Sequence, residues 1–362
     1  MESRIITPPL KVETSLEKNQ RSSNLELYRI LCMLMIVAHH YVVCSGLAIE
    51  GGPLKENPNS LNSLFLILFG MWGKTGINCF LMITGYFMCK SKITLSKYTK
   101  LLFQVLFYNI SIYFIMLIAG YESFSLLKIA QLFFPIDGLN HNFVSCFLVF
   151  YLTIPFLNIL IQNMKERQHR LLLLLLLGSY TILGSLPYFE ISFNYVTWFA
   201  IIYFVASYIR LYPVALFCNK RIWGWITLTF IILAIISVLV MHKLFGTTYF
   251  PVSDSNKIFA VVVAISSFLW FKNMKIPHNR IINALGGATF GVLLIHANSG
   301  AMMSWLWHDC MNPVGHYDNP IGHLVVYSLF SVISIFIVCS IIDQIRKNVL
   351  EKPLFQLLDV RL

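Results

Sequence analysis

The sequence predicts an all-α integral membrane protein of about ten transmembrane helices with both termini cytoplasmic. Three observations predict it. First, the 362 residues are 57% hydrophobic and only 12% charged, about half the charge of an ordinary soluble domain. That excludes a soluble globular enzyme and a disordered chain. Second, ten apolar runs follow one another through short connections, most of them near the ~20 residues that one membrane crossing takes. Third, the basic residues alternate between the two sets of connections. With the N-terminus inside, 22 of the 27 Lys and Arg fall on the inner side. Only Lys55, Lys128, Lys243 and Lys257 fall on the outer side, and Lys74 lies within the second run. Inner loops collect Lys and Arg, so the net charge of +11 reads as an orientation signal, and no nucleic-acid partner is expected.

Residues 1–24 are polar and mixed, with Pro8-Pro9, and read as a flexible cytoplasmic tail. The first apolar run, 27–48, is too long for a cleaved signal peptide and is expected to remain as the first span. The second, 62–88, contains Gly70, Gly73, Lys74 and Gly76 and reads as a broken helix. Runs at 101–119 and 142–162 follow. The fifth, 171–187, opens with an unbroken row of leucines from Leu171 to Leu177, which suits a lipid-facing helix. The rest lie at 194–212, 222–242, 257–272, 281–304 and 322–343. The chain is thus organised as a tail at 1–24, a membrane domain at 25–345 and a second cytoplasmic tail at 346–362, with no room for a separate soluble catalytic domain. The eight cysteines are scattered singly without a CxxC pair, so neither a zinc site nor a redox motif is suggested.

Ionisable side chains within a membrane span are costly and mark function. Carboxylates are nearly absent from the spans: Glu26 and Asp343 lie at cytoplasmic ends. This weakens the reading as a proton- or cation-coupled transporter. The first span carries Arg29 and His40. Eleven residues at ~100° each leave them ~20° apart around the helix, and ~16 Å apart along it. They share a stripe from the inner interface to mid-bilayer, and Glu26 sits one turn before Arg29. Each alone has a plain reading, Arg29 as a snorkelling anchor and His40 as a polar helix contact. Together, a fixed cation at the cytoplasmic mouth suits a phosphorylated ligand, and a deeper histidine suits proton removal from a hydroxyl.

The register of Glu26, Arg29 and His40 resembles the first span of acyltransferase family 3, in which an arginine and a histidine are separated by ten residues. Further segments are similar in the same order. Cys79–Phe87 resembles the FFxxSGF segment, with Thr84 in place of serine. Lys97 and Lys100 match basic positions. Asn142–Asn158 resembles the WFL…YL..PFLN run, with Asn142 in place of tryptophan. Trp198 to Arg210 is similar to a sixth-span pattern. Phe290–His296 resembles FGVYLIH, with Leu293 in place of tyrosine.

The resemblance implies an O-acyltransferase that moves an acyl group, commonly acetyl, from cytoplasmic acyl-CoA to a hydroxyl of an extracytoplasmic or lipid-linked polysaccharide. It implies His40 as the base and Arg29 as a holder of CoA phosphate, with acyl-CoA as donor substrate and no permanently bound cofactor. Lys97 and Lys100 would add charge at the same mouth, or serve only as inner-loop charge. Thr84 is a candidate hydroxyl near the reacting carbonyl, or a residue bonded back to its own helix. His141, Asn142 and His296 are candidate acceptor contacts, His296 being equally readable as a packing residue. His308, His316 and His323 match no standard metal-ligand spacing, and no metal is expected. The expected setting is the inner membrane of a bacterium, as a multi-pass protein. The rival class is a transporter or flippase for a glycan precursor, which would consume no acyl-CoA.

Overall fold

The computed structural model describes residues 21–136, 139, 142–186, 188–189, 191–246 and 249–359. Most of the expected N-terminal tail lies outside these. Among the described residues the chain is helical, without strands. Each of the ten apolar runs falls on helix. These are α1 (Ser23–Val43), α2 (Leu61–Met88), α3 (Leu95–Ile118), α4 (Phe143–Asn163), α5 (Glu166–Leu177), α6 (Tyr195–Leu211), α7 (Lys220–Phe245), α8 (Ile258–Lys272), α9 (Arg280–His296) and α10 (Ile321–Arg346). By length and composition α1, α2, α3, α4, α7 and α10 can cross a membrane, and α9 joins them if it is counted with the segment Gly300–His316, from which it is bent by 96°. The helices α5, α6 and α8 are shorter.

Local chemistry explains many boundaries. Asparagine side chains cap four helix starts by accepting from backbone N–H groups: Asn142 for α4, Asn194 for α6, Asn219 for α7 and Asn279 for α9. An asparagine in this place satisfies donors that the first turn leaves without an intrahelical partner. Thr94 does the same for α3. The break expected in the second run is real: α2 consists of Leu61–Gly70 and Gly73–Met88, separated by a turn at Met71 and Trp72.

At the centre of the bundle, α1 packs against the second half of α2 on one flank and α9 on the other, with α8 and α10 also in contact. In a bilayer there is little water to expel between helices, so close approach of backbones holds them. Glycine permits that approach here. A Cβ on Gly76 would stand 2.9 Å from the Cys32 carbonyl oxygen, and one on Gly286 would stand 2.5 Å from Glu26 Oε2. The stripe of α1 that carries Arg29 and His40 is thereby fixed between two close neighbours.

The last helix does not stop at the end of the tenth run. After Arg346 the chain makes a π-helical turn, Lys347–Glu351, and continues as Lys352–Asp359. Phe355 packs edge-on to Phe103 of α3. Asp343, 1% exposed, anchors this corner. It accepts from Gln104, Tyr108 and Arg346, while Arg346 also reaches Glu351.

Candidate active site

At the start of α1 two guanidinium groups, Arg21 and Arg29, stand around one carboxylate. Glu26 is buried against Gly286 of α9. Its Oε1 lies 3.3 Å from Arg29 Nη1 and 3.8 Å from Arg21 Nη1. A negative group in the first turn also suits the helix dipole. Two guanidinium groups share one carboxylate, so the cluster keeps a net positive charge. The Arg29 side chain is 25% exposed, and Glu26 is the one side-chain partner given to it among the described residues. Glu26 thus orients Arg29 and is itself largely shielded from a ligand.

Three turns along α1, His40 meets His296 at the end of α9. His40 Nδ1 lies 2.9 Å from His296 Nε2, and His296 Nδ1 lies 2.7 Å from the Val292 carbonyl oxygen. These two contacts fix the tautomers. A carbonyl oxygen only accepts, so His296 Nδ1 carries the hydrogen and, in a neutral ring, Nε2 is a bare acceptor. His40 Nδ1 must then donate to it. That leaves the lone pair on His40 Nε2, on a ring that is only partly buried. Had His40 stood alone, either nitrogen would have been available to carry the proton.

This placement corrects the expectation that His296 meets an acceptor. His296 is fully buried, and both of its ring nitrogens are engaged. Neither ring nitrogen is left to offer a sugar, and its side-chain partner is His40. His39 points elsewhere, with Nδ1 2.7 Å from the Gly70 carbonyl oxygen and its ring against Gly73 at the break in α2.

The other expected site residues are not gathered at the histidine pair. Thr84 Oγ1 donates to the Phe80 carbonyl oxygen one turn back, at 3.0 Å, a common arrangement inside helices. The Lys97 ammonium donates to Ser91 Oγ and the Lys92 carbonyl oxygen. The Lys100 ammonium lies 5.1 Å from the centre of the Phe355 ring. His141 lies outside the described residues. Asn142 is occupied as the cap of α4, yet it also lines a polar cavity of about 280 Å³ at the end of the bundle opposite to Arg29. Asn109, Gln131 and Asn298 line the same cavity, with the Lys128–Glu122 ion pair at its edge. Asn298 follows His296 by two residues, so the end of α9 that carries His296 adjoins this wall. The sequence reading missed Asn109, Gln131 and Asn298. A polar residue two positions after the FGVYLIH-like segment was the one available signal.

Lys74, the basic residue that belonged to neither side, opens the second half of α2. Its Nζ donates to the Tyr195 hydroxyl at 2.6 Å and lies 3.9 Å from Asp254 Oδ1. The two charged side chains are 27% and 43% exposed. Gly73, the preceding residue, touches the His39 ring, so this pair stands at the height of the histidines. Exposed charges do not face lipid tails without a large cost, and Asp254 comes from the loop that precedes α8.

Two aromatic side chains of α6 serve the core. Trp198 Nε1 donates to Asn78 Oδ1 at 2.8 Å, and the Tyr203 hydroxyl donates to Asn158. The ring of His316 stacks on Tyr327, 3.7 Å between centres. Among the described residues no group of three His, Cys, Asp or Glu is placed to hold a metal ion. No curated protein and no solved structure matches the chain. A family model described as an acyltransferase domain matches residues 22–342, from just before α1 to the last turns of α10.

Proposed function

The chain belongs to acyltransferase family 3 and is a membrane acyltransferase, and from that premise we propose that it transfers an acetyl group from cytoplasmic acetyl-CoA to a hydroxyl of an envelope polysaccharide or lipid-linked sugar. The observation that carries the reading is the hydrogen-bond chain from His40 through His296 to Val292, which leaves His40 Nε2 as a base. In the proposed reaction this nitrogen takes the proton of the acceptor hydroxyl as its oxygen attacks the thioester carbonyl. The C–S bond breaks, the ester forms, and the thiolate leaves with the proton from His40. During the charged interval His296 Nε2 still accepts from His40 Nδ1, which supports the imidazolium.

Arg29 lies at the basic end, which is assigned to the cytoplasm in a ten-span arrangement with both termini inside. It holds a donor phosphate, and Lys97 and Lys100 add positive charge at that end. The cavity of Asn109, Asn142 and Asn298 faces the other side, where amide groups suit a hydroxyl-rich acceptor; His141 adjoins it in sequence. Bacterial inner membrane is the setting that fits this proposed substrate pair. The expected transfer also separates this reading from a flippase, which moves substrate without consuming donor.

The test is radiolabelled acetyl-CoA supplied to membranes containing wild type, His40→Ala or Arg29→Ala, with label followed into glycan. Wild type is expected to transfer label. His40→Ala is expected to lose it by roughly a hundred- to ten-thousand-fold, the usual contribution of a positioned base. Label transfer at the wild-type rate by folded His40→Ala protein would sink the proposed base.

A further inference from the structure

A second basic feature lies at the same end of the bundle as Arg29 but on another side of α9. There a cavity of about 480 Å³ is walled by Arg21, His278, Arg280, Lys347 and Lys352. These residues come from separate parts of the chain: the segment before α1, the start of α9, and the turn and helix after α10. Folding has brought four cations and a histidine around one space. Among the described residues the only carboxylate within ion-pair distance of any of them is Glu26, reached by Arg21 and already shared with Arg29. Asn283, also on the wall, has a buried Nδ2 without a hydrogen-bond partner, although its Oδ1 accepts from Ser23. Converging cations and a spare amide donor describe a receptor for a multiply charged anion.

We infer that this cavity binds a phosphate group, supplied by the donor nucleotide or by the headgroup of an anionic lipid. Several N–H donors fit phosphate oxygens in charge-assisted hydrogen bonds. The nucleotide source rests on the acyl-CoA reading above. Its reach is suitable: from Gly287 on the cavity wall to His296 is roughly 14 Å along α9 at ~1.5 Å per residue. A pantetheine arm, with the backbone of about four extended residues, spans a similar ~14 Å. Arg21 ties the cavity to the reaction stripe, since it lines the one and reaches Glu26 of the other. The lipid source rests only on the position at the end of the bundle.

The test uses the full chain in nanodiscs of zwitterionic lipid. Adenosine 3′,5′-bisphosphate is titrated against wild type, Arg280→Gln/Lys347→Gln and the rim variant Lys352→Gln. Lys243→Gln, at the other end of the bundle, serves as the charge control. In a second arm the thermal stability of the same proteins is compared with and without phosphatidylglycerol. For a nucleotide site, the double variant is expected to bind the bisphosphate about tenfold or more weakly, with Lys352→Gln intermediate. For a lipid site, nucleotide binding is absent or unchanged across the set, and the stabilisation by phosphatidylglycerol falls in both cavity variants but not in Lys243→Gln. Either result supports a phosphate site and identifies its source. Variants that match wild type in both arms would overturn it. If the double variant unfolds, Lys352→Gln alone decides. Label transfer is recorded on the same wild-type preparation: its absence counts against the acetyl-CoA reading and leaves the binding result standing.

Discussion

Two acid–arginine pairs with the same spacing sit at the same end of this bundle and do opposite things. Glu26 and Arg29 open α1; Asp343 and Arg346 close α10. Each is an acidic residue followed three positions later by arginine, and each forms its own ion pair. Around Asp343 three donors converge on one oxygen: Gln104, Tyr108 and Arg346 donate to Oδ1, and Arg346 has Glu351 besides. Arg346 is 3% exposed against 25% for Arg29. The α10 pair is a saturated lock that ties α3 and the terminal helix together. The α1 pair is left incomplete, with an arginine that retains donors to spare. The number of partners, and not the presence of charge, separates the two pairs.

The contrast can be broken experimentally, beginning where the effect is largest. Arg346→Ala strands Asp343 in the interior and is expected to destabilise the fold by about 3–5 kcal/mol, read as a fall in thermal midpoint of detergent-solubilised protein. Arg29→Ala is expected to leave that midpoint nearly in place, because its partner Glu26 still has Arg21, and to raise the KM for donor by roughly ten- to a hundredfold. Equal destabilisation by both would erase the distinction. His296→Phe keeps a ring in the slot but removes the acceptor that sets the tautomer of His40. Here kcat is expected to fall by roughly a hundredfold with little change in donor KM. His296→Gln, which restores an acceptor oxygen, is expected to recover part of that loss; a merely space-filling role would favour phenylalanine. The smallest change is expected from Thr84→Val. Its hydroxyl serves its own helix, so activity should stay within about threefold of wild type and stability within about 1 kcal/mol.

The sequence was informative where the physics is local. Apolar runs became helices because a backbone in lipid must satisfy its own hydrogen bonds, and the glycines of the second run marked a true break. Helical periodicity alone put Arg29 and His40 on one stripe. It was uninformative where partners come from distant segments. Nothing in the neighbourhood of His296 announced that its ring would meet His40, more than 250 positions away. Asn283, Lys347 and Arg21 likewise acquire a common role only after α9 and α10 have packed. Thr84 and Asn142 show the opposite case: both satisfy nearby backbone groups, and a local use of this kind looks the same in sequence as an exposed one.

The stripe from Arg29 to His40 runs roughly 16 Å along α1 at ~1.5 Å per residue, and in the proposed arrangement it covers about half of a bilayer core. A charge carried across a whole membrane costs or yields about 2.3 kcal/mol for each 100 mV. The proposed exchange avoids this expense. An acyl group leaves the thiol in one direction while a proton arrives in the other, so the equilibrium of the transfer is electrically silent and holds equally in energised and depolarised membranes.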